Sequence, residues 1–321
     1  MMQIALIGIG AGAAGALLFA SVHSGSWLSV FLFYLAPLPM MIAALGWSHW
    51  AALIGAIGGA LALGAVFGSV FFFIAFLAGA GIPAWWLGYL AMLARPAGGN
   101  GQGGLEWYPP GRLVAWTAIL AALVVLAAIP NLGFDAKSFH DALVHALTKL
   151  LQAETGNPDA PLVIPGVGNP QRLIDFMAEA IPPAAAVIAT LTNACNLWLA
   201  ARVVKFSGRL ARPWPELSDM RLPREAAIAL AIAVVLSFAG GMLGIVAGVV
   251  SASLLVAYGI LGFAVLHAVT RGAAARGFIL GAAYASVLVF GWPMLALCLL
   301  GIADAIFDLR GRAARKRPPP L

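Results

Sequence analysis

Asp304 and Asp308 stand four residues apart near the C-terminus, with Arg310 close behind them. On a helix that spacing sets both carboxylates on one face, where some membrane lipid transferases hold a divalent metal over a phosphate. Those enzymes also carry an Asp-Gly…Ala-Arg run or a second acidic cluster, and neither occurs here. The pair is therefore expected to form ion pairs with nearby arginines and anchor a last helix, with no metal and no cofactor. The histidines offer no alternative centre. His140 and His145 lie about 140° apart around a helix, and Asp141 with His145 reads as an exposed pair. His23 and His49 fall at helix edges, and His267 near a helix end where the dipole suits an imidazole. Cys195 and Cys298 both sit in apolar segments, which excludes a disulfide framework or a zinc knuckle. HExxH, GxSxG, P-loop and GxGD patterns are all missing. The chain reads as a non-enzyme.

The remaining polar chemistry is embedded in apolar sequence. Thr190, Thr192, Asn193 and Asn196 form its most polar patch, and Asn193 and Asn196 share a helical face. Two readings stay open for them: hydrogen bonding between helices, or a ligand pocket. Tyr34-Leu-Ala-Pro37-Leu-Pro39 places two prolines within a second helix. Each removes an amide donor and crowds the preceding turn. The freed carbonyls must find protein or water, and broken helices line substrate sites in transporters. Tyr34, Pro37, Asn193 and Asn196 are accordingly the candidate pocket residues. Small residues recur every fourth position at Gly8, Gly12, Ala16 and Ala20, at Ala60, Gly64 and Gly68, and at Gly240, Gly244 and Gly248. Such stripes let backbones approach closely. They read as internal packing or, on the first helix at Gly8, Gly12 and Ala16, as a docking face for a partner subunit.

The elements that must position these residues are membrane helices. Of 321 residues, 62% are hydrophobic and 9% charged, with a mean hydropathy of +0.97; lipid is the solvent that suits such a chain. The expected fold is all-α, a polytopic transmembrane helix bundle of about 8–10 spans with an extracytoplasmic amphipathic segment. One membrane domain covers 1–310, its insert lies at about 131–180, and 311–321 form a basic, Pro-rich tail. The first spans are Ile4–Ala20 and Leu28–Gly46. Trp50–Ala94 is 45 residues long, ~67 Å as helix, so it must be two spans, broken at Gly68-Ser69. The Gly-rich stretch Ala97–Gly104 reads as a flexible linker, and Arg112–Ile129 as the fifth span.

Within the insert, Ser138 and Asp141 suggest a capping box. Phe139, Leu143, Leu147, Leu150 and Leu151 follow at helical spacing, predicting an amphipathic helix that lies on the outer leaflet or caps the bundle. Residues 155–168 read as loop. Asn169-Pro170 should open a short helix to Glu179, and Pro182-Pro183 a separate span to Val204. Residues 226–269 must divide near Gly240–Gly244. Phe278–Leu309, interrupted by Gly291-Trp292-Pro293, reads as two short spans or a re-entrant hairpin.

Charge orients this bundle. Fifteen of the eighteen Lys and Arg fall on one side, and only Lys137, Lys149 and Arg172 on the other. The positive-inside rule then predicts a bacterial cytoplasmic (inner) membrane protein with both termini cytoplasmic. The basic residues flank apolar runs, so their expected partner is anionic lipid and not nucleic acid. Met1–Ala20 lacks a basic n-region and is read as an uncleaved first helix.

Ala-Pro37-Leu-Pro39, Met220-Arg-Leu-Pro223 and the ending Gly301-Ile-Ala-Asp304-Ala-Ile-Phe307-Asp308-Leu-Arg310 together resemble the YybS-like family of bacterial polytopic membrane proteins. One departure is Met220, where that family often has Trp. The family is distantly similar to the S-components of energy-coupling-factor vitamin transporters and to the morphogenesis protein MreD. The resemblance implies a small multi-helix membrane fold without catalysis, and assigns no functional residue. Two functions follow as expectations. One is a small-molecule-binding or transport-associated subunit that needs an energising protein partner in the membrane. The alternative is a scaffold in cell-envelope assembly, acting through partner contacts that include the loop 205–224.

Overall fold

The computed structural model describes residues 1–97, 103–155 and 168–315. Among these the chain is an all-α bundle with one two-stranded hairpin. Seven segments are long and apolar enough to cross a membrane: Met2–Ser24, Trp27–Gly46, His49–Val66, Val70–Ala91, Pro110–Asn131, Pro170–Phe206 and Gly241–Val269. Their helices are α1 (Met2–Ala20), α2 (Trp27–Tyr34), α3 (Leu38–Gly46), α4 (His49–Val66), α5 (Val70–Phe76), α6 (Ile82–Ala91) and α7 (Pro110–Ala128), followed by α8 (Ala136–Thr155), which caps the bundle, and then α9 (Pro170–Phe206). The rest are α10 (Arg224–Ser237), α11 (Gly241–Val269), α12 (Arg276–Phe290), α13 (Pro293–Phe307) and α14 (Leu309–Arg315). Helices α10, α12 and α13 fall short of the ~20 residues of a full crossing.

Several local signals act where the sequence places them. Gly68 turns with φ +61°, and the Ser69 hydroxyl then caps α5 by accepting from the Phe71 amide at 3.2 Å. Gly240 and Gly241, both at positive φ, separate α10 from α11. Gly291 at φ +71° breaks α12 from α13, so the last apolar stretch is a hairpin of two short helices.

Other expectations are corrected. Asn169 does cap a helix, its Oδ1 accepting from the Arg172 amide at 3.3 Å, but that helix does not end at Glu179. It runs through Pro182 and Pro183 as one 37-residue element. Packing holds the helix together on both sides of the prolines: Ile174 and Ala178 lie against α8, and Ala186 against Ala122 and Val249. At ~55 Å it is longer than the ~30 Å hydrocarbon core, and its first third packs with α8 and with the outer ends of α7 and α11. The N-cap of α8 is Asp135 and not Ser138. Asp135 Oδ1 accepts from the Ser138 and Lys137 amides, and the Ser138 hydroxyl bonds back to Asp135 Oδ2 at 2.6 Å. Phe139, Leu143 and Leu147 are buried on the bundle, whereas Leu150 is exposed. The linker expected at Ala97–Gly104 is flanked by paired strands, β1 (Ala94–Ala97) and β2 (Gly103–Trp107), held by an Arg95–Glu106 bridge of 2.8 Å. The expected loop at 156–167 and the tail beyond Arg315 lie outside the described residues, and 309–315 continue as helix.

Two helical groups result. In the first, α1 packs on α4; in the second, α7, α9, α10 and α13 surround α11. Both seams depend on glycine. A Cβ on Gly8 would lie 2.6 Å from the Ala51 carbonyl, and one on Gly12 would strike the Gly55 carbonyl. Across the second seam Gly262 faces the Leu297 carbonyl and Gly301 the Tyr258 carbonyl just as closely. The stripe Gly8, Gly12 and Ala16 is thus occupied by this chain's own helices, Ala16 being buried in the core of the first group. The partner-docking expectation for that face is corrected: no free surface remains there.

The groups meet where α3 contacts α9 and α6 contacts α7. At that end the basic segments converge. Arg209 Nε donates to the Gly46 carbonyl at 3.3 Å, and Arg212 donates to the carbonyls of Ala91 and Tyr108 at 3.1 and 2.8 Å.

Candidate functional site

At the opposite end the two groups part and leave a cavity of about 610 Å³. Tyr34 and Pro37 line it from the break in the second span, and Thr192 and Asn193 from α9. Three of the four pocket residues expected from sequence therefore meet at one cavity. The fourth, Asn196, sits beside it in a supporting position.

The break explains that arrangement. Pro37 and Pro39 have no amide to give, so Phe33 and Leu35 lose their usual donors. The Leu38 amide turns back to the Leu35 carbonyl at 2.9 Å, which leaves the Tyr34 carbonyl without its helical partner. Asn196 Nδ2 reaches across from α9 and donates to that carbonyl at 2.8 Å. A freed backbone acceptor deep in an apolar bundle is costly unless paired, and Asn196 pairs it. Gly15 of α1 fits against the same break, where a Cβ would lie 2.8 Å from the Ala36 carbonyl.

Asn193 differs from Asn196 by one helical turn and by role. It is 4% exposed, lines the cavity, and its side-chain amide has no hydrogen-bond partner among the described residues. Its buried neighbour Thr190 is satisfied internally, through Oγ1 to the Ala186 carbonyl at 2.7 Å. A primary amide carries two donor hydrogens and an acceptor oxygen, and Asn193 is the residue at this wall that brings one.

The opposite wall carries a feature that sequence reasoning missed. Residues Leu77–Gly81 form a π-helical turn between α5 and α6, and Ala78, Gly79 and Ala80 line the cavity. Pro83 is the available signal: it withholds the amide that Gly79 would receive in an α-helix, and π-turns often mark functional sites. Pro182 and Pro183 interrupt the α9 ladder at the cavity's outer rim, beside the lining residues Ile181, Ala184 and Ala185. Three proline-related irregularities therefore surround one space. Phe71, Ile74 and Ile188 stand at its margin with exposed side chains. Among the described residues, no Asp, Glu, Lys, Arg or His lines it.

The other candidates lie elsewhere. Asp304 is 5% exposed and sits in the basic end, where its carboxylate receives the Arg310 amide at 3.0 Å and the Arg310 guanidinium at 2.7 Å. Arg310 also donates to the carbonyls of Ser218 and Met220. Asp308, at φ +48°, pairs with Arg221 at 3.4 Å. Both carboxylates hold arginines and tie the last helix to the loop before α10. No group of three or more metal-ligating side chains occurs among the described residues. His140 faces Asp175 at 3.7 Å, joining α8 to α9; His267 bonds Tyr284, and His23 stacks on Phe67.

No family model, curated protein or solved structure matches this chain.

Proposed function

We propose that the protein is a bacterial inner-membrane subunit that binds one small, uncharged molecule in the cavity between its two helical groups, as the substrate-holding part of a transport system. The carrying observation is Asn193, a buried amide without a protein partner facing about 610 Å³ of apolar space. That volume falls within the ~300–1,000 Å³ of small-molecule sites, which join mainly apolar walls to a few polar groups. The walls carry no charge, so a charged ligand would lose its hydration without compensation. A neutral, largely apolar molecule with one acceptor and donor pair for Asn193 fits. Thr192 of α9 and Tyr34 of α2 also line the cavity.

Two further features support transport. The helical groups close on each other at the basic end and separate at the other, as alternating access requires of one of its states. The sites known for such work are also built from interrupted helices, like the one at Tyr34–Leu38. By the positive-inside rule the basic end, with both chain termini, is cytoplasmic, and the cavity opens toward the outer leaflet. A P-loop is missing from the sequence, so uptake would draw energy from a partner. The resemblance to the YybS-like family, and through it to S-components, agrees with this reading.

The test is native mass spectrometry of the protein extracted gently from its own membranes. A stoichiometric small adduct that Asn193→Ala abolishes, while the melting temperature stays put, supports the proposal, and its mass begins to identify the ligand. A chain that carries no adduct but a stable second polypeptide would replace it with the scaffold reading.

A further inference from the structure

A second cavity, of about 370 Å³, lies in the basic half of the bundle and is separate from the one with Asn193. Its floor is α7 and α11, one wall is Cys195 and Trp198 of α9, and the other is Tyr284 of α12. The loop after α9 folds Trp214 across its basic end. Helix α12 has no buried residue. It is held to α11 by Tyr284, which stacks on Phe263 with ring centroids 4.4 Å apart and bonds His267 at 3.0 Å. Trp198 and Tyr284 are 48% and 46% exposed, so the cavity is a groove open sideways to the bilayer between α9 and α12. Water gains few hydrogen bonds in such a space, and a hydrocarbon chain fills it.

The groove ends under positive charge. The Arg202 guanidinium lies 5.5 Å from the Trp198 ring and 5.2 Å from the Trp214 ring, and Lys205 Nζ lies 4.8 Å over Trp214. Neither cation has a carboxylate in salt-bridge range among the described residues, whereas Arg221, Arg271 and Arg310 nearby all do. The indoles hold two cations at the mouth of an apolar slot, at the level where Trp favours the membrane interface. Arg212 does not compete for the same ligand, because it is bound to the Ala91 and Tyr108 carbonyls.

We infer that this groove is a specific site for one anionic phospholipid, with an acyl chain between α9 and α12 and the phosphate on Arg202 and Lys205. The occupant follows from the combination: the slot needs a hydrocarbon chain, and the unpaired cations need a phosphate attached to it. A bound lipid would also give α12 the packing that the protein alone does not.

The experiment uses the full chain, purified and delipidated in mild detergent, with phosphatidylglycerol or phosphatidylcholine added back and retention read by native mass spectrometry. One phosphatidylglycerol should be retained per chain, in at least about tenfold preference to phosphatidylcholine. R202Q/K205Q should cut that retention about thirtyfold, as expected for two interfacial cations. C195W should abolish it by filling the slot while leaving both cations in place. Should C195W not fold, alkylation of Cys195 serves instead, since Cys298 is buried; phosphatidylglycerol should slow it and phosphatidylcholine should not. Equal retention of the two lipids, many non-saturating adducts typical of annular lipid, or retention that survives R202Q/K205Q would each overturn the inference.

Discussion

The contact between the two helical groups has two unlike ends. At the basic end it is closed: Val204 of α9 packs with Leu45 of α3, and the carbonyls of Gly46, Ala91 and Tyr108 are each held by an arginine from the loop after α9. At the other end the same helices diverge around a cavity whose principal polar group is unpartnered. The difference teaches where polar interactions do which work. Arginine to backbone carbonyl, three bonds from two residues of one loop, fixes one end of the bundle. At the other, a single buried asparagine, Asn193, lines the cavity. The joint at the closed end is made of charge-assisted hydrogen bonds.

The largest effect on that contrast is expected at Asp304, just beneath the closed end. Asp304→Ala would leave Arg310 buried without its counter-ion, and breaking one partner of a buried pair costs about 3–5 kcal/mol. Thermal unfolding in detergent should show a large loss, with Asp308→Ala much milder because its pairs with Arg221 and Arg315 are exposed. Equal losses would mean that the closed end does not depend on the Asp304–Arg310 centre. Next comes Arg212→Ala, which removes two bonds from a charged donor to the first group's carbonyls, about 1.5–3 kcal/mol apiece at most. Burial already draws the Arg212 guanidinium below its ordinary pKa, yet an arginine stays charged. The expected result is raised thiol accessibility at introduced cysteines around Ala91 and Gly46, with the outer cavity unchanged. If accessibility rises at both ends, the two are not independent joints.

Asn193 and Asn196 sharpen the comparison on a single helix. Asn196→Ala abandons the Tyr34 carbonyl and should cost about 0.6–2 kcal/mol, the range for hydrogen bonds between membrane helices. Asn193→Ala removes a group with no protein partner, so stability should hold or rise slightly while ligand retention falls. Thermal shifts of the two variants, measured with and without co-purifying membrane extract, separate the roles. A destabilised Asn193→Ala would show that its amide is structural.

How much of this was legible in the chain depends on range. Local signals did their work: Gly68-Ser69, Asn169 and Gly291 act through their own backbone and side chains within a few residues, and so can be read from order alone. The prolines at 37 and 39 announce that carbonyls are freed, and the i,i+3 spacing of Asn193 and Asn196 announces a shared face. That the two meet rests on a contact across 162 positions, which no local pattern contains. Pro182-Pro183 misled because intrinsic cost was read as a stop, whereas packing of Ile174, Ala178 and Ala186 on either side overrides it. The stripe at Gly8, Gly12 and Ala16 showed that a close helix contact exists without showing with whom. Its partner proved to be α4, whose own glycines at 55 and 59 return the same contact.

The smallest expected effect concerns α8, the helix packed against α9 and α11. The joint between α8 and the start of α9 is an apolar cluster of Phe139, Leu143, Leu147 and Ile174, anchored at one end by the Asp135 cap. The Ser138 hydroxyl, with its amide next, holds the Asp135 carboxylate below the usual range. A carboxyl with a depressed folded-state pKa contributes stability that is complete above its unfolded value, near 4. That contribution is lost as pH falls through the lower folded value. Amide exchange at Lys137 and Ser138 should therefore be steady from neutral pH to about pH 5 once intrinsic rates are corrected, and should accelerate only in stronger acid. Asp135→Ala should show the accelerated exchange at every pH and leave the Arg212 end untouched. Were the exchange of Asp135→Ala to match the wild type, the apolar cluster alone would hold α8 in place, without any contribution from its cap.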